Sequence, residues 1–179
     1  MSARLFNAVN FVGYQLAWLA VVWSAAHGVA LLGAAAALIV AGVHLALRRD
    51  PRELKAMGLA FGIGLLLDST LAMTGQVRFA SAWPPGLAPY WMLCLWIAFA
   101  TTLNHSLRWL MTRPVAAALA GALGGPLAYL AGARLGALTL VTPAITLAII
   151  ALLWTLAMVI LSMFVLRAST LAAPGRMVA

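Results

Sequence analysis

From residue 5 to residue 47 the chain carries no Asp, Glu, Lys or Arg. A soluble fold cannot hide an uncharged run of that length, whereas each helical crossing of a bilayer needs about 20 apolar residues. The run therefore reads as two membrane helices, 5–26 and 29–47, joined by a short turn at His27 and Gly28. Composition agrees, with 65% hydrophobic and 8% charged residues against roughly 25% charged in a soluble domain. The first helix is flanked by only Arg4 and lacks a small-residue cleavage site, so it is expected to be retained.

The rest of the chain follows the same grammar. In the loop from Arg48 to Lys55, Asp50 suits an N-cap, Pro51 the first helical position and Glu53 the third, as in a capping box. A helix over 53–74 follows, with Gly58, Gly62, Gly64, Asp68, Ala72 and Gly75 on a face that lets another helix approach. Residues 75–89 are expected to form the longest loop, where Pro84, Pro85 and Pro89 forbid a regular helix. Phe79 and Trp83 suit a segment lying at the interface or folded back over the bundle. Helices over 90–111, 115–133 and 143–166 complete the series, the fifth interrupted at Gly124-Gly125-Pro126, and a weakly ordered tail is expected over 168–179.

The expected fold is all-α: one polytopic transmembrane bundle of six helices with both termini on one side. Of the 11 Lys and Arg residues, only Arg78 and Arg134 fall on the other side. Arg4, Arg48, Arg49, Arg52, Lys55, Arg108, Arg113, Arg167 and Arg176 share the side of the termini, which makes that side cytoplasmic. The formal charge of +8 does not indicate nucleic acid, because the basic residues are dispersed over loops. Cys94 is the only cysteine, so no intramolecular disulfide forms.

Candidate chemistry concentrates at the cytoplasmic level. Thr101, Asn104, His105 and Arg108 recur at i, i+3, i+4 and i+7, one face of a continuous helix. Lipid tails satisfy neither an amide nor an imidazole, so that face is expected to meet other helices, a cavity or headgroups. Asn7 and Asn10 of the first helix and His44 at the end of the second lie at the same depth, and Gln15 follows on the first helix. Arg108 would bind a lipid phosphate, His105 would act as general acid or base, and Asn104, Asn7, Asn10, Gln15 and His44 would bind substrate. The structural alternative is that these groups tie helices together while Arg108 snorkels to the interface.

Asp68 is the only acid expected deep within a span. It is expected to join His105 as a catalytic residue by supporting a cavity or proton path, and the alternatives are an interhelical hydrogen bond or a pair with Arg78 or Arg134. Its depth separates it from His105. Trp83, Trp91 and Trp109 fit aromatic belts, and Trp18, Trp23, Trp96 and Trp154 fit packing. The three scattered histidines form no recognisable metal motif, and no phosphate loop or nucleophile elbow occurs.

Several of these stretches carry a family resemblance. They are Asn10-Phe11-Val12-Gly13-Tyr14-Gln15 with Trp18, the Arg-rich loop with Glu53-Leu54, and Asp68. Trp96-Ile97-Ala98-Phe99-Ala100, Asn104-His105-Ser106-Leu107 and Gly124-Gly125-Pro126-Leu127-Ala128-Tyr129 complete the set. Together they resemble a bacterial inner-membrane family catalogued as domain of unknown function 2878. Its members look to be encoded beside cyclopropane-fatty-acid-synthase-like methyltransferases, so the resemblance implies a role in membrane-lipid modification. It brings no catalytic residue to carry over and names no cofactor. The expected function is to act in, or assist, modification of phospholipid acyl chains. Membrane lipids are the expected partners, with a lipid-modifying enzyme or a second copy of the chain. A small dimeric transporter or lipid flippase with a site near Asp68, or a non-catalytic scaffold, are the alternatives.

Overall fold

The computed structural model describes residues 2–170. Arg176 and most of the expected tail lie outside them. The fold is all-α with one short ribbon: α1 (Ala3–Ala26), α2 (Ala30–Leu47), α3 (Pro51–Met73), β1 (Val77–Phe79), α4 (Tyr90–Leu103), α5 (Arg108–Met111), α6 (Pro114–Arg134), β2 (Leu138–Leu140) and α7 (Pro143–Thr170). Helices α1, α2, α3, α6 and α7 are each long and apolar enough to cross a membrane. Their outward faces, with Leu31, Leu66, Leu119 and Leu152 among the exposed side chains, suit lipid. Residues 168–170, expected in the tail, continue α7.

Local chemistry sets the joints. Gly28, at φ +76°, turns α1 into α2. Asp50 caps α3 by accepting from the Arg52 backbone N–H at 2.9 Å, and Pro51 takes the first position. Helix α4 packs against α1, α2 and α3, while α6 and α7 form a hairpin that reaches the rest through α3, α5 and the β1–β2 ribbon.

The helix expected over 90–111 is broken after Leu103. Its 14 residues rise roughly 21 Å at 1.5 Å per residue, short of the ~30 Å hydrocarbon core. Part of the reason is local. Thr101 and Thr102 donate back to the Ala98 and Phe99 carbonyls, each at 2.7 Å. The Thr102 carbonyl then accepts from the His105 and Leu107 backbone N–H groups at 3.1 and 2.9 Å, which closes a turn. Polar side chains competing for the backbone end the helix, so the Thr101–Arg108 stripe is not one helical face.

Two further expectations change. Helix α6 runs uninterrupted through Gly124-Gly125-Pro126. Its glycines explain this, because α7 lies close enough that a Cβ at Gly121 would sit 2.5 Å from the Trp154 carbonyl oxygen. Such packing holds the helix across the missing proline donor. The 75–89 segment is not wholly irregular either. Val77, Arg78 and Phe79 pair antiparallel with Leu140, Thr139 and Leu138.

The remainder of that segment folds back over the bundle. Ser81 Oγ donates to the Ala25 carbonyl at 3.0 Å, and the Ala88 N–H to Ser69 Oγ at 3.0 Å. Trp91 Nε1 donates to the Ala80 carbonyl at 3.1 Å. Trp91 is fully buried, so it belongs to the core and not to an aromatic belt, whereas Trp83 and Trp109 are 67% and 60% exposed.

The buried stripe of α3 runs Glu53, Met57, Ala60, Gly64, Asp68 and Leu71. One helix face therefore carries two buried carboxylates, roughly 22 Å apart along the axis at 1.5 Å per residue.

Candidate functional site

Three segments converge on Glu53 in the first turn of α3. Helix α1 brings Phe6 and Asn10, α2 brings His44, and the turn after α4 brings Asn104, His105 and Ser106. His44 Nε2 lies 3.0 Å from Glu53 Oε2, and His105 Nε2 lies 3.2 Å from Oε1. Asn104 Nδ2 donates to the same Oε1 at 3.2 Å. Asn10 braces the arrangement from α1: its Nδ2 donates to the Thr101 carbonyl at 3.1 Å, and its Oδ1 accepts from Ser106 Oγ at 2.6 Å. The His44 and His105 rings meet edge to face at 5.0 Å, and Phe6 packs on His105 at 5.1 Å. The Arg48 guanidinium covers the Phe6 ring at 3.8 Å, a cation–π contact.

The cluster is enclosed yet reachable. The side chains of His44 and Glu53 are each 4% exposed, and that of His105 is 17% exposed. An apolar groove of about 190 Å³ between α1 and α2 is lined by Val9, Gly13, Ile39, Val40 and Val43 and also touches Asn10 and His44. A separate polar mouth of about 110 Å³ is lined by Glu53, Asn104 and His105 together with Asp50, Arg52 and Arg108.

Of the residues expected at this level, Asn10, His44, Asn104 and His105 come together, and Arg108 stands at the mouth. Asn7 is half-buried one turn before Asn10, and Gln15 is exposed on α1. Neither makes a hydrogen bond to the cluster among the described residues.

Glu53 is the central residue that sequence reasoning passed over. Its place in the first turn of α3 suggested a capping box. The Asp50 backbone N–H, which such a box would engage, is already given to the Arg48 carbonyl at 2.8 Å. The Glu53 carboxylate is thus free to turn inward. Ser106 was likewise legible only as part of a motif.

Asp68 forms a separate site. It is fully buried and meets two donors rather than Arg78 or Arg134. Trp96 Nε1 donates to Oδ2 at 2.8 Å, and the Tyr129 hydroxyl donates to Oδ1. Trp96 lies against Gly64, where a Cβ would sit 2.2 Å from its ring, and stacks on Trp154 at 4.8 Å. A small cavity of about 50 Å³ borders these rings. The bonds join α3, α4 and α6, so an interhelical hydrogen bond is what the geometry supplies here.

Chemically, the Glu53 cluster gathers one carboxylate and two imidazoles whose donor atoms lie within 4.8 Å of one another. That set can hold a proton or a metal ion. Neither a curated protein nor a solved structure matches the chain. A family model described as "Protein of unknown function (DUF2878)" matches residues 7–160. That span includes Asn10, His44, Glu53, Asp68, Asn104 and His105, and the chain belongs to the DUF2878 family.

Proposed function

We propose that the protein is a bacterial inner-membrane protein that acts in, or directly assists, modification of phospholipid acyl chains at the cytoplasmic leaflet. The observation that carries this reading is the position of the Glu53 cluster, buried beside an apolar groove and a basic, polar mouth. In this reading the chain crosses six times, α4, the turn and α5 together making one crossing, and both termini are cytoplasmic. The distribution of Lys and Arg supports that orientation.

A groove of about 190 Å³ exceeds the ~150 Å³ of an apolar cavity that admits benzene. It suits a segment of acyl chain. Arg108, with Arg52 beside it at the mouth, takes the phosphate. His105 and Asn104 face the substrate, and Glu53 sets the orientation of both. Asp68, roughly 22 Å away along α3, holds helices together and takes no part in the chemistry.

The test is lipid mass spectrometry of membranes from cells with the gene, without it, and carrying His105→Ala or Gln15→Ala at equal protein level. A changed acyl species in the deletion, reproduced by His105→Ala and not by Gln15→Ala, is the expected result. An unchanged lipid profile in the deletion, or full activity of His105→Ala, refutes the reading.

A further inference from the structure

We propose that His44, Glu53 and His105 are the protein ligands of one divalent transition-metal ion. The three come from the end of α2, the start of α3 and the turn after α4, so only the fold assembles them. One donor atom from each lies within 4.8 Å of the others. His44 Nε2 approaches Glu53 Oε2 at 3.0 Å and His105 Nε2 approaches Oε1 at 3.2 Å, so the carboxylate stands between the two imidazoles. With metal bonds of ~2.0–2.2 Å, tetrahedral donors stand about 3.3–3.6 Å apart. The widest pair must therefore close by about 1.2–1.5 Å to share an ion, through side-chain torsions.

The surroundings favour the same assignment. Both imidazoles aim Nε2 at one carboxylate. A metal ion set between them would engage both Nε2 lone pairs at once. Asn104 then acts as the outer partner that orients the carboxylate, as ligating carboxylates require.

Three protein ligands with an open side is the arrangement of sites that bind water or substrate directly. The open side here is the polar mouth. Two imidazoles and one carboxylate select zinc or ferrous iron over calcium or magnesium. The third histidine of the chain, His27, bonds the Trp23 carbonyl at the other end of α1 and does not compete.

The test uses the full chain, purified in mild detergent through a histidine-free tag from cells supplied with zinc, iron and manganese. Elemental analysis is expected to find one ion per chain. Glu53→Gln and His105→Ala are each expected to lower the content at least about tenfold, and Gln15→Ala to leave it unchanged. In the wild-type chain stripped with chelator, re-addition of zinc or ferrous iron is expected to raise the unfolding temperature by several degrees. This second measurement decides the matter should the variants fail to fold. A folded wild-type chain that neither carries nor regains an ion overturns the proposal, as does full metal retention by both variants. The assignment rests on the cluster's geometry and not on the lipid reading. A metal-free protein with its lipid phenotype intact sinks this inference alone, and a metalloprotein without a lipid phenotype sinks only the other.

Discussion

Replacing Gly125 by alanine puts a methyl group 2.3 Å from Cγ and 2.6 Å from Cδ1 of Trp154. Ordinary carbon contacts lie at about 3.5–4.0 Å, so the overlap exceeds an ångström. Trp154 cannot simply swing away, because it stacks on Trp96 at 4.8 Å and meets Phe99 at 5.9 Å. Helices α6 and α7 must separate instead. The neighbouring Gly124 supplies the control, since a Cβ there meets nothing within 4 Å. Both substitutions gain the same helix propensity, up to about 1 kcal/mol. The difference between them isolates the clash, about 1–3 kcal/mol for overpacking, with this approach at the upper end. At roughly 2–4 °C per kcal/mol for a chain of this size, the unfolding temperatures differ by about 6–12 °C. Gly125→Ala is expected to lie below the wild type and Gly124→Ala at or above it. Cys94, the only cysteine and half-buried in α4, reports unfolding directly through a thiol-reactive dye in detergent. Equal melting of the two variants would refute the close crossing of α6 and α7.

Three more outcomes are expected. Tyr129→Phe removes a donor from the buried Asp68 carboxylate and costs about 1.5–3 kcal/mol, visible in the same melting assay. Gln76→Ala frees Thr146 and Thr142, whose hydroxyls donate to Gln76 Oε1 at 2.9 and 3.1 Å. It lowers stability by about 1–2 kcal/mol, and unchanged melting would show that this knot contributes nothing. With Cys94→Ser as background, a cysteine at Arg78 reacts with an impermeant maleimide added to intact inner-membrane spheroplasts, and a cysteine at Lys55 reacts only after permeabilisation. The reverse pattern would invert the proposed orientation.

The apolar runs made the long helices legible, because a lipid solvent leaves little other choice for such segments. The capping signal at Asp50 and Pro51 was equally plain, since it depends on neighbouring residues alone. The failures share one cause. Where α4 stops depends on Asn104, His105 and Ser106 finding partners on α1 and α3, and periodicity carries no trace of those partners. Glu53 was misjudged because the same first-turn position serves a cap or a core, and only the use of the Asp50 N–H by Arg48 decides between them. The ribbon did leave a mark. Gly75-Gln76-Val77-Arg78-Phe79 and Gly136-Ala137-Leu138-Thr139-Leu140 share a glycine followed by alternating apolar residues, and both glycines adopt positive φ. Neither stretch is long enough to stand out within a chain so apolar throughout.

The ribbon has a mechanical consequence. It stitches the segment after α3 to the turn between α6 and α7, at the end of the bundle remote from Glu53. Parting the helices there means breaking paired main-chain bonds, whereas near Glu53 the tie between α5 and α7 includes the Ser162 hydroxyl on the Met111 carbonyl at 2.6 Å. The bundle is thus built like a pair of tweezers, with its fulcrum at β1 and β2 and its tips around the Glu53 cluster. Separation of the α6–α7 hairpin from α3 is therefore expected to start at the tips and not at the ribbon. A disulfide across the tips would restrict that separation, and the same staple across the ribbon, where main-chain pairing already holds, would add little.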